Sequence, residues 1–162
     1  MSPEIPTRVA VVAALRESLR EELAAVESVA AMARDEVSSE ETRSEGKYDT
    51  RATEASYLAR GQAWRVAALR RQLAWAEVFD PERPLSPPVV QVGALVQLLG
   101  EREEWVFVAP VGGANLDVGG VTVKVISPAS PLGQAISELE AGEAAEVDTP
   151  RGLVELEVGA VV

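Results

Sequence analysis

The sequence predicts an α+β protein in which a helical hairpin precedes a β-sheet domain with one short helix. Three observations predict this order. Apolar residues recur every seven positions through about residue 79, which is typical of amphipathic helices that pair along a seam. From residue 121 onward, valine alternates with polar residues in steps of two, as in half-buried strands. Between these halves, Asp80 to Pro88 contains four prolines, through which a helix does not continue.

The composition excludes several kinds of chemistry. The 162 residues include neither cysteine nor histidine, which excludes disulfides, thiolate catalysis, Ser-His machinery and the commonest zinc sites. Apolar residues make up 47% of the chain, too many for general disorder. No apolar run approaches the roughly 18 residues of a membrane span, and no secretory signal is recognisable. We therefore expect a cytoplasmic protein that does not contact membranes.

The net charge of −11 is unevenly distributed. Residues 81–162 hold 12 acids and 4 bases, whereas residues 1–80 hold 14 acids and 11 bases. Direct binding to duplex DNA is not expected, because phosphate contacts need clustered lysine and arginine. The acidic second half favours a basic protein partner, although solubility alone would explain the same charge.

Two long helices of matched length are predicted in residues 1–80. The first runs from about Thr7, which can cap it, to Ser38, and the second from Asp49 to Phe79. Residues 39–48 form a polar turn between them, so we expect an antiparallel α-helical coiled-coil hairpin that is about 45 Å long. The apolar seam positions are Val9, Val12, Leu19, Leu23, Val26, Ala30 and Ala33, followed by Ala52, Ala55, Ala59, Val66, Leu69, Leu73 and Ala76.

Gly61 lies inside the second predicted helix, where glycine costs about 1 kcal/mol relative to alanine. It shares a face with Tyr57, Trp64 and Ala68, and this face is not the seam. Two interpretations remain open, namely packing over the side of the hairpin and a stripe that contacts a partner.

The chain is thereby divided into a hairpin (1–80), a stiff proline-rich linker (81–88) and a C-terminal domain (89–162). One short helix is predicted from Pro131 to about Leu139, because Ser130 can cap it and proline suits the first helical position. The predicted strands are Val89–Leu99, Trp105–Pro110, Val121–Ile126, Ala144–Asp148 and Leu153–Val161.

The region around this short helix resembles a known family. The stretch SPLGQA at residues 130–135, the Gly142-Glu143 step and the Pro150-x-Gly152 turn resemble the C-terminal domain of the Gre family of bacterial transcript-cleavage and elongation factors. Residues 92–96 and 104–108 are similar to its first two strands. At position 143 the chain has glutamate where the family more often has aspartate. The resemblance implies an FKBP-like domain, which is a twisted antiparallel β-sheet with one short helix.

The resemblance also implies a function. The protein would be a divergent, monomeric Gre-like elongation factor that binds bacterial RNA polymerase at the rim of the secondary channel and modulates transcript cleavage. Its partner-binding residues would be Ser130, Pro131, Leu132 and Gly133 on the helix, with Gly142 and Glu143 after it. It would be no enzyme and would hold no cofactor by itself, because the polymerase performs the cleavage.

In the Gre family, two acids at the hairpin tip help to hold a magnesium ion of the polymerase. The corresponding candidates here are Glu41, Glu45 and Asp49. Glu45 and Asp49 flank the predicted apex, and their carboxylates are the hard oxygen ligands that Mg²⁺ prefers. The resemblance therefore suggests these two residues as ligands of a magnesium ion shared with polymerase.

The family's tip motif is not reproduced, however. Alignment through Ala55 and Tyr57 places Thr50 and Thr53 where the acids should be. Three interpretations of the tip stay open, namely a solvated polar turn, magnesium delivery, and channel binding as an inhibitor without cleavage.

Functions of other classes stay open as well. The C-terminal domain could serve as a plain interaction module. A peptidyl-prolyl isomerase shares the implied fold, but such enzymes line their pocket with aromatic residues, which form only 4% of this chain.

Overall fold

The computed structural model describes residues 2–43 and 50–162. In this part of the chain, two long helices are followed by four strands, a short helix and two further strands, so the predicted α+β class is confirmed. None of the helices described there combines the length and the apolarity needed to cross a membrane. The elements are α1 (Arg8–Arg43), α2 (Thr50–Val78), β1 (Leu95–Leu99), β2 (Glu103–Val108), β3 (Asn115–Val118), β4 (Val121–Ile126), α3 (Pro131–Ile136), β5 (Ala144–Thr149) and β6 (Gly152–Val161).

Packing divides the chain into two units. One is Arg16–Glu77, and the other combines the chain up to Leu15 with Val78–Val162. The first residues of α1 therefore group with the sheet, which the sequence pattern did not indicate. Of the two predicted seam residues in this segment, Val9 is exposed and Val12 is buried, together with Val11 and Leu15. The assignment of residues 81–88 as a linker between independently folding domains stays a prediction.

In the unit Arg16–Glu77, the two long helices run antiparallel. The Arg16 Nε–H donates to the Ala76 carbonyl oxygen at 2.8 Å, and Arg70 pairs with Glu27 at 2.8 Å. Residue numbers thus rise along α1 as they fall along α2, as in a hairpin. The predicted seam is confirmed where it is buried, at Leu19, Ala30, Ala33, Val66, Leu69 and Ala76.

The six strands form one sheet in the order β3-β4-β2-β1-β6-β5. Four of the five strand pairs are antiparallel, and β2 with β4 is parallel, with Trp105 opposite Val123. The sheet is therefore mixed rather than wholly antiparallel. β3 and β5 are its edge strands.

Alternate side chains of the central strands point to α3 and form the core. Ile136 of α3 is fully buried there, and Leu132 packs against the same cluster while staying half-buried. Burying each such side chain contributes about 1.5–3 kcal/mol. The buried members of this cluster are Val90, Ala94, Val96, Leu98, Val106, Val108, Ile136 and Val158.

Phe79 fills a gap on the sheet unit directly after α2. Its ring meets Phe107 edge-to-face, with 6.2 Å between the ring centroids. Gly93 has a φ of 95°, and a Cβ at that position would lie 2.7 Å from the Phe79 Cζ atom. The Arg8 guanidinium lies over the same ring at 5.8 Å and also donates to the Arg83 carbonyl oxygen. Burial lowers the pKa of Arg8, and the Asp80 carboxylate opposes that shift.

Several predicted boundaries are corrected by the structure, and β2 spans Glu103–Val108 where a strand over Trp105–Pro110 was predicted. The first strand begins at Leu95 instead of Val89, because Gly93 turns the chain and the Ala94 N–H donates to the Gln91 carbonyl. The short helix ends at Ile136 instead of Leu139, because Glu138 has a φ of 64° and its N–H donates to the Val90 carbonyl instead of to the preceding helical turn. The first helix continues past Ser38 to Arg43.

One strand was missed. β3 covers Asn115–Val118, where Leu116 and Val118 are buried and Asn115 and Asp117 are exposed. The alternation is present in the sequence, but it extends over only four residues between glycine-rich turns.

Candidate partner-binding site

The beginning of α3 is fixed by a dense set of local hydrogen bonds around Ser130. The Gly133 N–H donates to Ser130 Oγ at 3.0 Å, and the Ser130 hydroxyl donates to the Ser127 carbonyl at 2.7 Å. Pro131 follows at the first helical position, where its missing N–H is not needed. Ser130 therefore acts as the predicted N-cap and also ties the helix to the preceding turn.

Gly133 allows this turn to lie directly on the helix. A Cβ at position 133 would overlap the Ser127 carbonyl oxygen and would lie 2.9 Å from the Ser127 carbonyl carbon and 3.0 Å from Pro128 Cα. These are backbone atoms, which cannot rotate away as a side chain can. Glycine is thus required here by close approach of two backbone segments.

The turn between α3 and β5 carries the second predicted group. Gly142 has a φ of 94°, in the left-handed region that favours glycine, and its N–H donates to the Val158 carbonyl at 2.7 Å. One carboxylate oxygen of Glu143 accepts from the Glu140 N–H at 2.7 Å. The acid at this position therefore stabilises its own turn.

A surface hollow of about 970 Å³ borders α3. Apolar side chains from the sheet and α3 line it, together with charged side chains from the loop after β1, from β2 and from the turn after β5. Leu153 stands out in this lining, because it is 71% exposed. The lining residues are Leu98, Glu101, Arg102, Glu104, Leu132, Val147, Thr149, Pro150, Arg151, Leu153, Val154 and Leu156.

Comparison with known families identifies the domain that contains α3 and the hollow. Residues 85–162 match the model described as transcription elongation factor GreA/GreB, C-terminal. Residues 85–162 form a GreA/GreB C-terminal domain. The family resemblance predicted from SPLGQA is thereby confirmed, and the match begins inside the proline-rich segment predicted as a linker.

Solved structures with similarity to this chain include two Gfh1 proteins and a GreA/GreB factor. GreA factor homolog 1 (Gfh1) of Thermus thermophilus is 23% identical with a TM-score of 0.39, and the similarity covers 91% of this chain and 94% of that one. Gfh1 of Thermus aquaticus is also 23% identical with a TM-score of 0.39, covering 99% of both chains. GreA/GreB from Nitrosomonas europaea is 28% identical with a TM-score of 0.36, covering 60% of this chain and 78% of that one. No curated protein matches the sequence.

The GreA/GreB domain uses most of the predicted binding residues for its own folding. Ser130 and Gly133 fix the start of α3, and Gly142 and Glu143 fix the turn before β5. Leu132 differs from these four, because its half-buried side chain lines the hollow. Partner binding by this set stays a prediction.

Sequence reasoning missed the charged border of the hollow and its exposed leucine. Glu104 is paired with Lys124 at 3.0 Å, and Arg151 lies in the turn after β5. Leu153 lies on the same face of the strand as Glu155 and Glu157, because residues two apart share a face. An apolar residue on this polar face was the signal in the sequence for an exposed leucine.

The predicted tip falls largely outside the described residues. Glu45 and Asp49 lie between Arg43 and Thr50, where the structure gives no description, and Glu41 lies in the last turn of α1 without a described side chain. Among the residues that are described, no group of three or more acids is placed to hold a metal ion. The first turn of α2 contains no acid.

Proposed function

We propose that this chain is a Gre-like elongation factor that binds bacterial RNA polymerase at its secondary channel and modulates transcript cleavage. The observation that carries the proposal is the GreA/GreB C-terminal domain over residues 85–162. A helical hairpin from the same chain, within Arg16–Glu77, supplies the second part that such a factor needs.

The C-terminal domain would provide the main contact with polymerase. The hollow beside α3 offers apolar contact at Leu132 and Leu153, and the surrounding half of the chain carries 12 acids against 4 bases. A basic polymerase surface would complement this charge, so binding should weaken as the salt concentration rises.

The end of the hairpin would determine what the bound factor does. The carboxylates of Glu45 and Asp49 have the donor chemistry that Mg²⁺ prefers, and one or two carboxylates suffice beside a phosphate. Bound magnesium would supply Lewis-acid chemistry in the polymerase centre. Within this chain, Glu45 and Asp49 would contribute oxygen ligands, while the C-terminal domain keeps the factor in place.

A second function, competition without cleavage, is favoured by one observation. α2 begins at Thr50 and has no acid in its first turn, where alignment with the family's tip motif calls for acids at Thr50 and Thr53. A factor of this kind would bind polymerase and exclude true cleavage factors. The prolyl isomerase alternative receives no such support, since the hollow beside α3 has no aromatic residue in its lining.

Transcript cleavage in a stalled, backtracked elongation complex tests the proposal. If Glu45 and Asp49 bind magnesium, Glu45→Gln and Asp49→Asn should each remove most of the stimulation and leave polymerase binding unchanged. If Asp49 only caps α2, Asp49→Asn should be nearly silent, because asparagine caps about as well as aspartate.

The wild-type protein also distinguishes the two functions. Binding that displaces an authentic cleavage factor without stimulating cleavage would establish the competitor and reject magnesium delivery. A wild-type chain that fails to bind polymerase at low salt would refute both.

A further inference from the structure

One outward-facing stripe of α2 exposes two large aromatic side chains. Tyr57 and Trp64 expose 65% and 79% of their surface, on the side of the helix away from the buried seam residues Val66 and Leu69. Helical spacing places Arg60, Gly61 and Arg71 on the same side. We call Tyr57, Arg60, Gly61, Trp64 and Arg71 the α2 stripe.

Packing inside the hairpin does not account for the α2 stripe. A Cβ added at Gly61 would have no described atom within 4 Å, so no neighbouring group requires glycine there. The described contact within the stripe is the Arg60 guanidinium at 5.2 Å from the centre of the Tyr57 ring. Glycine nevertheless costs the helix about 1 kcal/mol relative to alanine. The structure therefore favours the other interpretation of this face, which is contact with a partner.

The residue types of the stripe indicate a protein partner. Tryptophan, tyrosine and arginine are the residues most enriched in the energetic centres of protein interfaces. α2 carries five arginines against two glutamates, although the whole chain has a net charge of −11. Two of these arginines, Arg65 and Arg70, pair with Glu22 and Glu27 of α1.

The arginines on the stripe, Arg60 and Arg71, are too few to follow a phosphate backbone beside an acidic α1, which disfavours RNA. Two separated guanidinium groups suit carboxylates on a protein surface instead.

We propose that the α2 stripe docks on an acidic, apolar-centred protein surface of RNA polymerase. Carboxylates of that surface would meet Arg60 and Arg71, and an apolar side chain would enter the gap that Gly61 leaves between Tyr57 and Trp64. This inference rests on the proposed function, since it requires the hairpin to enter the polymerase. The position of the stripe along α2 agrees with this docking, because Tyr57 lies about 10 Å and Trp64 about 21 Å along the helix from Thr50. A channel that enclosed the hairpin over these distances would contact the stripe.

Affinity for core RNA polymerase, measured with the full-length chain, tests the inference. Trp64→Ala should weaken binding roughly thirty-fold, which corresponds to the lower limit for an interface hot spot. Met32→Ala on α1 is the matched control, because Met32 is an apolar side chain that is 68% exposed and lies outside the stripe, and its affinity should equal that of wild type. Gly61→Leu should raise the thermal stability of the helix and still weaken binding, so a loss of affinity cannot be attributed to unfolding.

Each further outcome decides the matter. Wild-type binding with unchanged affinity in both Trp64→Ala and Gly61→Leu would overturn the stripe while leaving the proposed function in place. No binding by the wild type would overturn both. Self-association of the wild type that Trp64→Ala abolishes, or binding of a single-stranded RNA oligonucleotide that Trp64→Ala abolishes, would assign the stripe to a different partner and refute the polymerase surface.

Discussion

Replacing Gly133 by alanine should destabilise the C-terminal domain far more than a one-methyl change usually does. The new Cβ would overlap the Ser127 carbonyl oxygen and lie 2.9 Å from the Ser127 carbonyl carbon, whereas ordinary contacts are 3.4–4 Å. Relief requires the turn and α3 to separate, which adds about 1–3 kcal/mol of overpacking to about 1 kcal/mol for a weakened Ser130 cap. A loss of about 3 kcal/mol lowers the Tm by roughly 6–12 °C for a chain of this size.

The assay is urea unfolding followed by circular dichroism, with hydrogen exchange of the β1 and β6 peptides to locate the effect. Gly61→Ala provides the matched control, because the same methyl group meets no described atom within 4 Å there and replaces glycine in a helix interior. It should stabilise the protein by about 1 kcal/mol. Equal unfolding midpoints for Gly133→Ala and wild type would refute the close-approach reasoning.

Two further substitutions test the same unit. Phe79→Ala should lower the free energy of unfolding in urea by about 3 kcal/mol, because it removes the edge-to-face contact with Phe107 and empties the gap against Gly93. A change within error of zero would show that the ring is not part of the core. Ser130→Ala should lower the free energy of unfolding by about 1 kcal/mol, and Ser130→Asn should lower it much less, because asparagine also caps helices. Equal losses of stability in the two variants would argue against capping.

The fold was predictable where one physical pattern dominates a segment. The seven-residue repeat located both helices, and alternation located β4 at its observed bounds Val121–Ile126. Prediction failed where a tertiary contact outweighs local preference. The apolar run from Val89 looks like a strand, but the backbone of Val90 pairs with Leu139 and Gly93 turns the chain against Phe79. Such pairings between distant residues leave no periodic signal in the sequence.

The candidate site was predictable in part. The capping role of Ser130 follows from its type and position, and the structure confirms it. The hollow beside α3 was not predictable, because it arises where Leu98 of β1, Leu132 of α3 and Leu156 of β6 converge from segments far apart in the chain. The exposure of Trp64 could not be predicted for a related reason. Periodicity shows which residues share a face of a helix, but it does not show whether another element covers that face.

The two edges of the sheet bear on aggregation. An edge strand offers unpaired backbone groups to any other strand, and proteins counter this with short edges and charged side chains. Here β3 is only four residues long and exposes Asp117, while β5 exposes Glu146 and Asp148. Two copies that joined edge to edge would bring carboxylates of like charge together, so growth of the sheet from one molecule to the next is opposed at both ends.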